Sequence, residues 1–177
     1  MAETKLFCHV PHKPSDMVDF VSNVEGYPEF INLLSAVRVA ERKELGDGHE
    51  NFEAEATVSY KFVSEQFRSL VDVFHSENRI NVSKSGTKGA VKALENNWIF
   101  HELSDGSTLV EFYVQVKLKA FPLEVLLRDK FDKAANHIMN VFTLRAGQLY
   151  EHVGDDNINL EAEYARLGLK QEMAELS

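Results

Sequence analysis

The chain has 177 residues, enough for one domain with a sizeable core. Its net charge of −9, from 19 Lys and Arg against 28 Asp and Glu, argues against bulk nucleic-acid binding and against purely electrostatic attachment to anionic lipid. A single cysteine, Cys8, excludes an internal disulfide framework and a cysteine-rich zinc site.

Leu6, Cys8 and Val10 alternate with polar neighbours and predict a first strand at a sheet edge, stopped by Pro11 and Pro14. Pro14 and Ser15 then open a short helix with Met17, Phe20, Val21 and Val24 on its apolar face and Gly26 as its stop. Tyr27 to Leu34 is a compact apolar linker with room for one or two more helical turns. Val37 and Val39 share one face of the next strand, and Leu45-Gly46-Asp47-Gly48 reads as a turn. From Asn51 to Phe62 the alternation is strict: Phe52, Ala54, Ala56, Val58, Tyr60 and Phe62 on one face, Glu53, Glu55 and Lys61 on the other. Phe67, Ser69, Val71 and Val73 repeat the pattern, and Arg79 to Ser83 adds a short strand. The glycines and lysines of Lys84 to Ala93 form a loop. Leu94 to Leu103 carries Trp98 and Phe100 on one face, Ser104-Asp105-Gly106-Ser107 turns the chain, and Val110, Phe112, Val114, Val116 and Leu118 alternate in a last strand.

Pro122 opens a long helix, Phe121 to Tyr150, whose apolar stripe is Leu123, Leu127, Phe131, Ala135, Ile138, Phe142, Ala146 and Leu149. Beyond it lies an acidic tail, with a weak helical pattern at Leu160, Tyr164 and Leu167; packing, dimerisation and disorder are all open for it. The expected division is therefore residues 1–153 as one ligand-binding domain and 154–177 as a tail. The element order predicts an α+β fold. A curved antiparallel sheet wraps a long C-terminal helix, with two short helices after the first strand.

Signatures of catalysis are scarce. Glycine-rich phosphate loops, nucleophile elbows and paired metal-binding histidines are missing from the sequence. The seven histidines are scattered, Glu53 and Glu55 fall on the wet face of their strand, and Cys8 faces inward as a core thiol. These readings point to a protein that is not an enzyme and needs no metal or cofactor. No run of residues has the length and apolarity to cross a bilayer. The start, Met1 to Val10, lacks the pattern of a secretory signal. The expected location is the cytoplasm, with a peripheral position at the inner face of the membrane if the Lys84 to Ala93 loop touches lipid. That loop carries Lys84, Lys88 and Lys92 beside Ala90, Val91 and Leu94. A solvated loop is the alternative.

One ordered set of motifs resembles a known family. Val24-Glu25-Gly26-Tyr27-Pro28-Glu29-Phe30-Ile31 precedes Ala36-Val37-Arg38-Val39. Val58-Ser59-Tyr60-Lys61-Phe62, Asn97-Trp98-Ile99-Phe100, Val110-Glu111-Phe112 and the final helix with Asp132, Ala134 and Phe142 to Ala146 follow. Over roughly Thr4 to Tyr150 this is similar to the coenzyme Q-binding protein family. That family belongs to the polyketide cyclase/dehydrase and lipid-transport superfamily with the START-like helix-grip fold. Asn32-Leu33-Leu34 and Ser85 to Val91 depart from the pattern of many relatives. The resemblance implies a cavity between sheet and long helix holding ubiquinone or a similar isoprenoid lipid, in support of respiration or quinone synthesis. A related branch implies a first alternative, a ribosome-association toxin-like regulator with the ribosome as partner; the second is a polyketide cyclase or aromatase, which would need inward polar groups such as Tyr60 or Ser69 beside a substrate carbonyl. DNA is not an expected partner.

The expected ligand-binding residues are Tyr27, Phe30, Leu33, Val58, Phe62, Phe67, Trp98, Phe112, Val114, Leu127, Phe131 and Ile138. For the sheet-face members, plain core packing is the competing reading. Trp98 and Tyr27 join broad rings to hydrogen-bond donors that a quinone carbonyl accepts from.

Overall fold

A computed structural model describes residues 1–60, 62–119 and 121–170, with the side chains of all these except Tyr60, Val63 and residues 121–127. Among the described residues the strands are β1 (Ala2–Val10), β2 (Leu34–Gly46), β3 (His49–Tyr60), β4 (Val63–Phe74), β5 (Arg79–Lys84), β6 (Val91–Glu102) and β7 (Thr108–Leu118). They form one sheet in the order β1-β7-β6-β5-β4-β3-β2, antiparallel at every step. Six consecutive strands meander, so hairpin turns alone place them. Only β1 reaches across the sequence to pair with β7, and it is an edge, as its alternation predicts. With α1 (Pro14–Ser22), α2 (Phe121–Leu149) and α3 (Leu160–Leu167), this is the START-like helix-grip fold.

Local chemistry explains most boundaries. Pro14 stands in the first turn of α1, where its missing N–H is not needed. The helix ends at Ser22, four residues before the expected stop at Gly26. Asn23 caps it, and Val24–Glu29 tightens into a 3₁₀ turn that contains Gly26. The β2–β3 turn places Gly46, Asp47 and Gly48 at φ of 88°, 54° and 74°, a left-handed run that suits glycine and tolerates aspartate. Register shifts at Leu34/Ala36, Ala40/Lys43 and Glu44/Gly46 bend the β2 edge, with Glu41 at φ 56° in the second.

In α2 the buried side chains are Phe131, Ala135, Met139, Phe142 and Ala146, a stripe with steps of three and four. This corrects the expected stripe at two positions. Ile138 is 41% exposed and Leu149 is 51% exposed, while Met139 takes the core place assigned to Ile138. Leu123 and Leu127 fall outside the described side chains. The helix leans on β1 more than on any other strand, and Cys8 Sγ meets Thr143 Oγ1 at 3.8 Å. Because α2 sits over the β1 side, the concave faces of β3 to β6 are only partly covered by it.

The β3 alternation holds, but burial does not last to its end. Phe52 and Ala54 are buried, Val58 is 37% exposed, and Phe62 is fully exposed in the β3–β4 turn. The hairpin runs past the helices, so nothing covers its tip. Tyr60's side chain and Lys61 lie outside the described residues.

The tail folds back onto the body. Val153 N–H donates to Pro11 O at 2.8 Å, and Asp155 N–H to Asp105 Oδ2 at 2.8 Å. Gly154 is required between them: its φ is 86°, and a Cβ there would stand 2.4 Å from Asp105 Oδ2. Asn159 Oδ1 caps α3 by accepting from Ala162 N–H, and Gly168 ends it at φ 69°. Buried Glu163 accepts from Ser104 Oγ and from Arg166 Nη2 (2.7 Å), while Tyr164 stacks edge-on against Phe7 at 5.4 Å.

Candidate functional site

The uncovered part of the concave face is a cavity of about 270 Å³. Its roof is Val24, Tyr27 and Ile31 with Ile138 and Phe142 of α2. Its floor is Ala54 and Ala56 of β3, Ser69 and Val71 of β4, Ile80 and Val82 of β5, and Leu94, Asn96 and Trp98 of β6. Phe112 and Val114 of β7 close one side, and Leu34 and Val37 of β2 the other. The hollow exists because three floor residues are small. Ala54 sits directly across from Ser69, and Ala56 lies one inward step further along. Larger side chains there would fill the space under Tyr27.

Two further depressions adjoin it. One of about 400 Å³ is lined by Leu34, Ala56, Val58, Phe67, Ala90 and Val91 among others, and shares Leu34 and Ala56 with the cavity. The other, about 310 Å³, lies on the far side of Ile31 and Ile138 and holds Phe30 and Leu33. The cavity thus opens between the 3₁₀ turn, the β3–β4 hairpin and the β5–β6 loop.

Five expected ligand residues line the cavity: Tyr27, Trp98, Phe112, Val114 and Ile138. The others are placed elsewhere. Phe30 and Leu33 border the far depression, and Val58 and Phe67 the rim. Phe62 lines none of these surfaces, since it occupies an uncovered turn. Phe131 is buried and is not among the described lining residues. Leu127 falls outside the described side chains. Ala54, Ala56, Ser69 and Asn96 line the cavity beyond the expected ligand set. Their sequence signal is small or polar residues on the dry face of otherwise bulky strands.

The two ring donors expected to face a ligand are already engaged. Tyr27 Oη donates to Val21 O, and burial pushes its phenol pKa up. Trp98 Nε1–H donates to Asn96 Oδ1 at 2.8 Å, and Asn96 Nδ2–H donates to Tyr113 O at 2.9 Å. Tyr27 and Trp98 instead belong to an aromatic wall around Phe142, with ring centroids 5.1 and 5.4 Å from it. Among the described residues, none of the lining side chains is an acid, a histidine, a lysine, an arginine or a cysteine. His9 and His12 bond to Ser107 Oγ and Glu151 O, both at 2.9 Å. Glu53 and Glu55 pair with Arg68 on the outer face at 3.7 and 2.8 Å.

Residues 10–143 match the family model described as polyketide cyclase / dehydrase and lipid transport. The chain is 24% identical over 141 residues to the ribosome association toxin RatA of Rickettsia prowazekii (strain Madrid E), covering 79% of this chain and 92% of that protein. An 18 kDa protein from Caulobacter crescentus, solved in solution, superimposes with a TM-score of 0.68 at 28% identity, over 84% of this chain and 98% of that one. A START superfamily protein from Mycobacterium smegmatis gives 0.69 at 18% identity, over 84% and 99%.

Proposed function

Because the chain belongs to the polyketide cyclase / dehydrase and lipid transport family, we propose that it carries a hydrophobic lipid, an isoprenoid quinone of the ubiquinone type, in the cavity beside α2 and does not transform it. The observation that supports this reading is the lining itself: apolar walls, ring donors tied up internally and, among the described residues, no acid or base in the lining. Acid–base chemistry on a polyketide would need such a group. Burial alone drives uptake, at roughly 25 cal/mol per Å² of apolar surface removed from water.

The rim suits a transient membrane contact. Phe62 and Val58 project uncovered, and Ala90, Lys88 and Lys92 are exposed on the neighbouring loop. Lys84 and Lys119 hold that loop in shape by donating to Val91 O and to Thr87 O. Two free lysines contribute about 1 kcal/mol each near an anionic surface, a docking weak enough to release.

The test is to fill the hollow. Ala54→Phe places a ring over the floor opposite Ser69. The variant is expected to fold and to lose uptake of decylubiquinone, read by quenching of Trp98, and to yield no lipid on organic extraction. Undiminished uptake by a folded Ala54→Phe protein overturns the assignment. The relatives' name favours a second reading, association with ribosomes. Cosedimentation with ribosomal subunits that survives Ala54→Phe would support it instead.

A further inference from the structure

The floor of the cavity is apolar except at one place where a polar group is left open. Ser69 is 9% exposed, and its hydroxyl makes no hydrogen bond among the described residues. The other polar groups of the wall are engaged with one another or with backbone. A hydroxyl facing an apolar hollow without a partner is disfavoured unless something that enters the hollow bonds it. Beside it stands a second donor. Lys84 of β5 is the direct cross-strand partner of Ser69, so both side chains leave the same face of the sheet. Its ammonium donates to Val91 O at the start of β6 and has two further N–H groups. Ser69 lines the cavity with Ala54 directly across from it on β3, whereas Lys84 lines neither the cavity nor the rim depression and its ammonium is held at Val91 O.

We infer that the Ser69 hydroxyl is the anchor for an acceptor oxygen of the ligand. The site selects apolar molecules that carry a carbonyl-type oxygen over plain hydrocarbons. The inference rests on the carrier reading and adds the orientation of the cargo. The oxygen-bearing head lies on the β4–β5 floor, under the aromatic wall. The tail leaves along Leu34, Val58, Phe67 and Val91, because a cavity of about 270 Å³ lies at or below the low end of the usual range for ligand pockets and cannot enclose a long chain. The exit runs to the rim, so the tail is the last part in and the first part out.

Two probes separate the claims: decylubiquinone, which has carbonyl acceptors, and diphenylhexatriene, a hydrocarbon with none. Both are titrated into the full chain and into Ser69→Ala and Ser69→Thr. Loss of one hydrogen bond is expected to raise the decylubiquinone Kd of Ser69→Ala about fivefold and leave diphenylhexatriene unchanged. Ser69→Thr is expected to keep the wild-type ratio of the two affinities. An unchanged ratio in Ser69→Ala, whether both probes weaken together or neither does, overturns the anchor and leaves the carrier reading intact. Wild-type protein that binds the hydrocarbon and not the quinone overturns the anchor and the quinone cargo together, leaving an apolar-binding cavity. Wild-type protein that binds neither probe overturns the carrier reading and the anchor with it.

Discussion

Tyr27 shows how a residue chosen for one role serves another. Its ring is part of the cavity roof, but its hydroxyl caps the end of α1 by donating to Val21 O. Tyr27→Phe keeps the ring and leaves that carbonyl without its partner, so it is expected to cost about 1 kcal/mol in denaturant unfolding while uptake of an apolar ligand persists. The phenol also sets an alkaline limit. Burial raises its pKa above the ordinary value of 10.0, so the folded chain holds the proton after the unfolded chain has released it. Stability from this group is complete below about pH 10 and declines as pH rises beyond it. The decline between about pH 8 and pH 11 is expected to be shallower in Tyr27→Phe; equal slopes would assign the alkaline loss to other groups.

Single elements carry distinct duties. The β3–β4 hairpin is core at one end and a bare tip at the other, as the exposures of Phe52 and Phe62 show. Phe62→Ser is therefore expected to change unfolding free energy by less than about 0.5 kcal/mol. Its effect belongs to the rim: flotation with vesicles containing phosphatidylserine is expected to fall, and rising salt to weaken what remains. Wild-type flotation from the variant would exclude the hairpin from membrane contact. In α2 the division runs around the helix. Ala135, Met139 and Phe142 join the buried core, while Ile138, one residue from Met139, lines the hollow.

Across the whole molecule, the tail completes the body. It bonds to Pro11 and Asp105 and sets Tyr164 on Phe7. Ending the chain after Val153 uncovers Phe7 and removes the carboxylate that accepts from Ser104. The truncated chain is expected to lose about 2 kcal/mol of stability and to keep its cavity, which lies under the opposite elements. Calorimetry alongside decylubiquinone uptake checks both halves. Loss of uptake at a temperature where the shortened chain is still folded would show that the tail supports the site.

The sequence by itself determined the element order, the antiparallel meander, the edge position of β1 and the long helix. Each follows from local signals: period-two alternation, glycine turns and a three-to-four residue stripe, all acting within one element or between chain neighbours. It also marked Tyr27, Trp98, Phe112, Val114 and Ile138, since bulky residues on a dry face are conspicuous. Only the tertiary structure decided that α2 leans toward β1, that Ala54, Ala56 and Ser69 open a hollow, and that Phe62 stands beyond it. Whether a dry face is filled or left open depends on volumes that meet from distant strands, and whether a donor is free depends on the partner that reaches it. Neither quantity resides in any one stretch of chain.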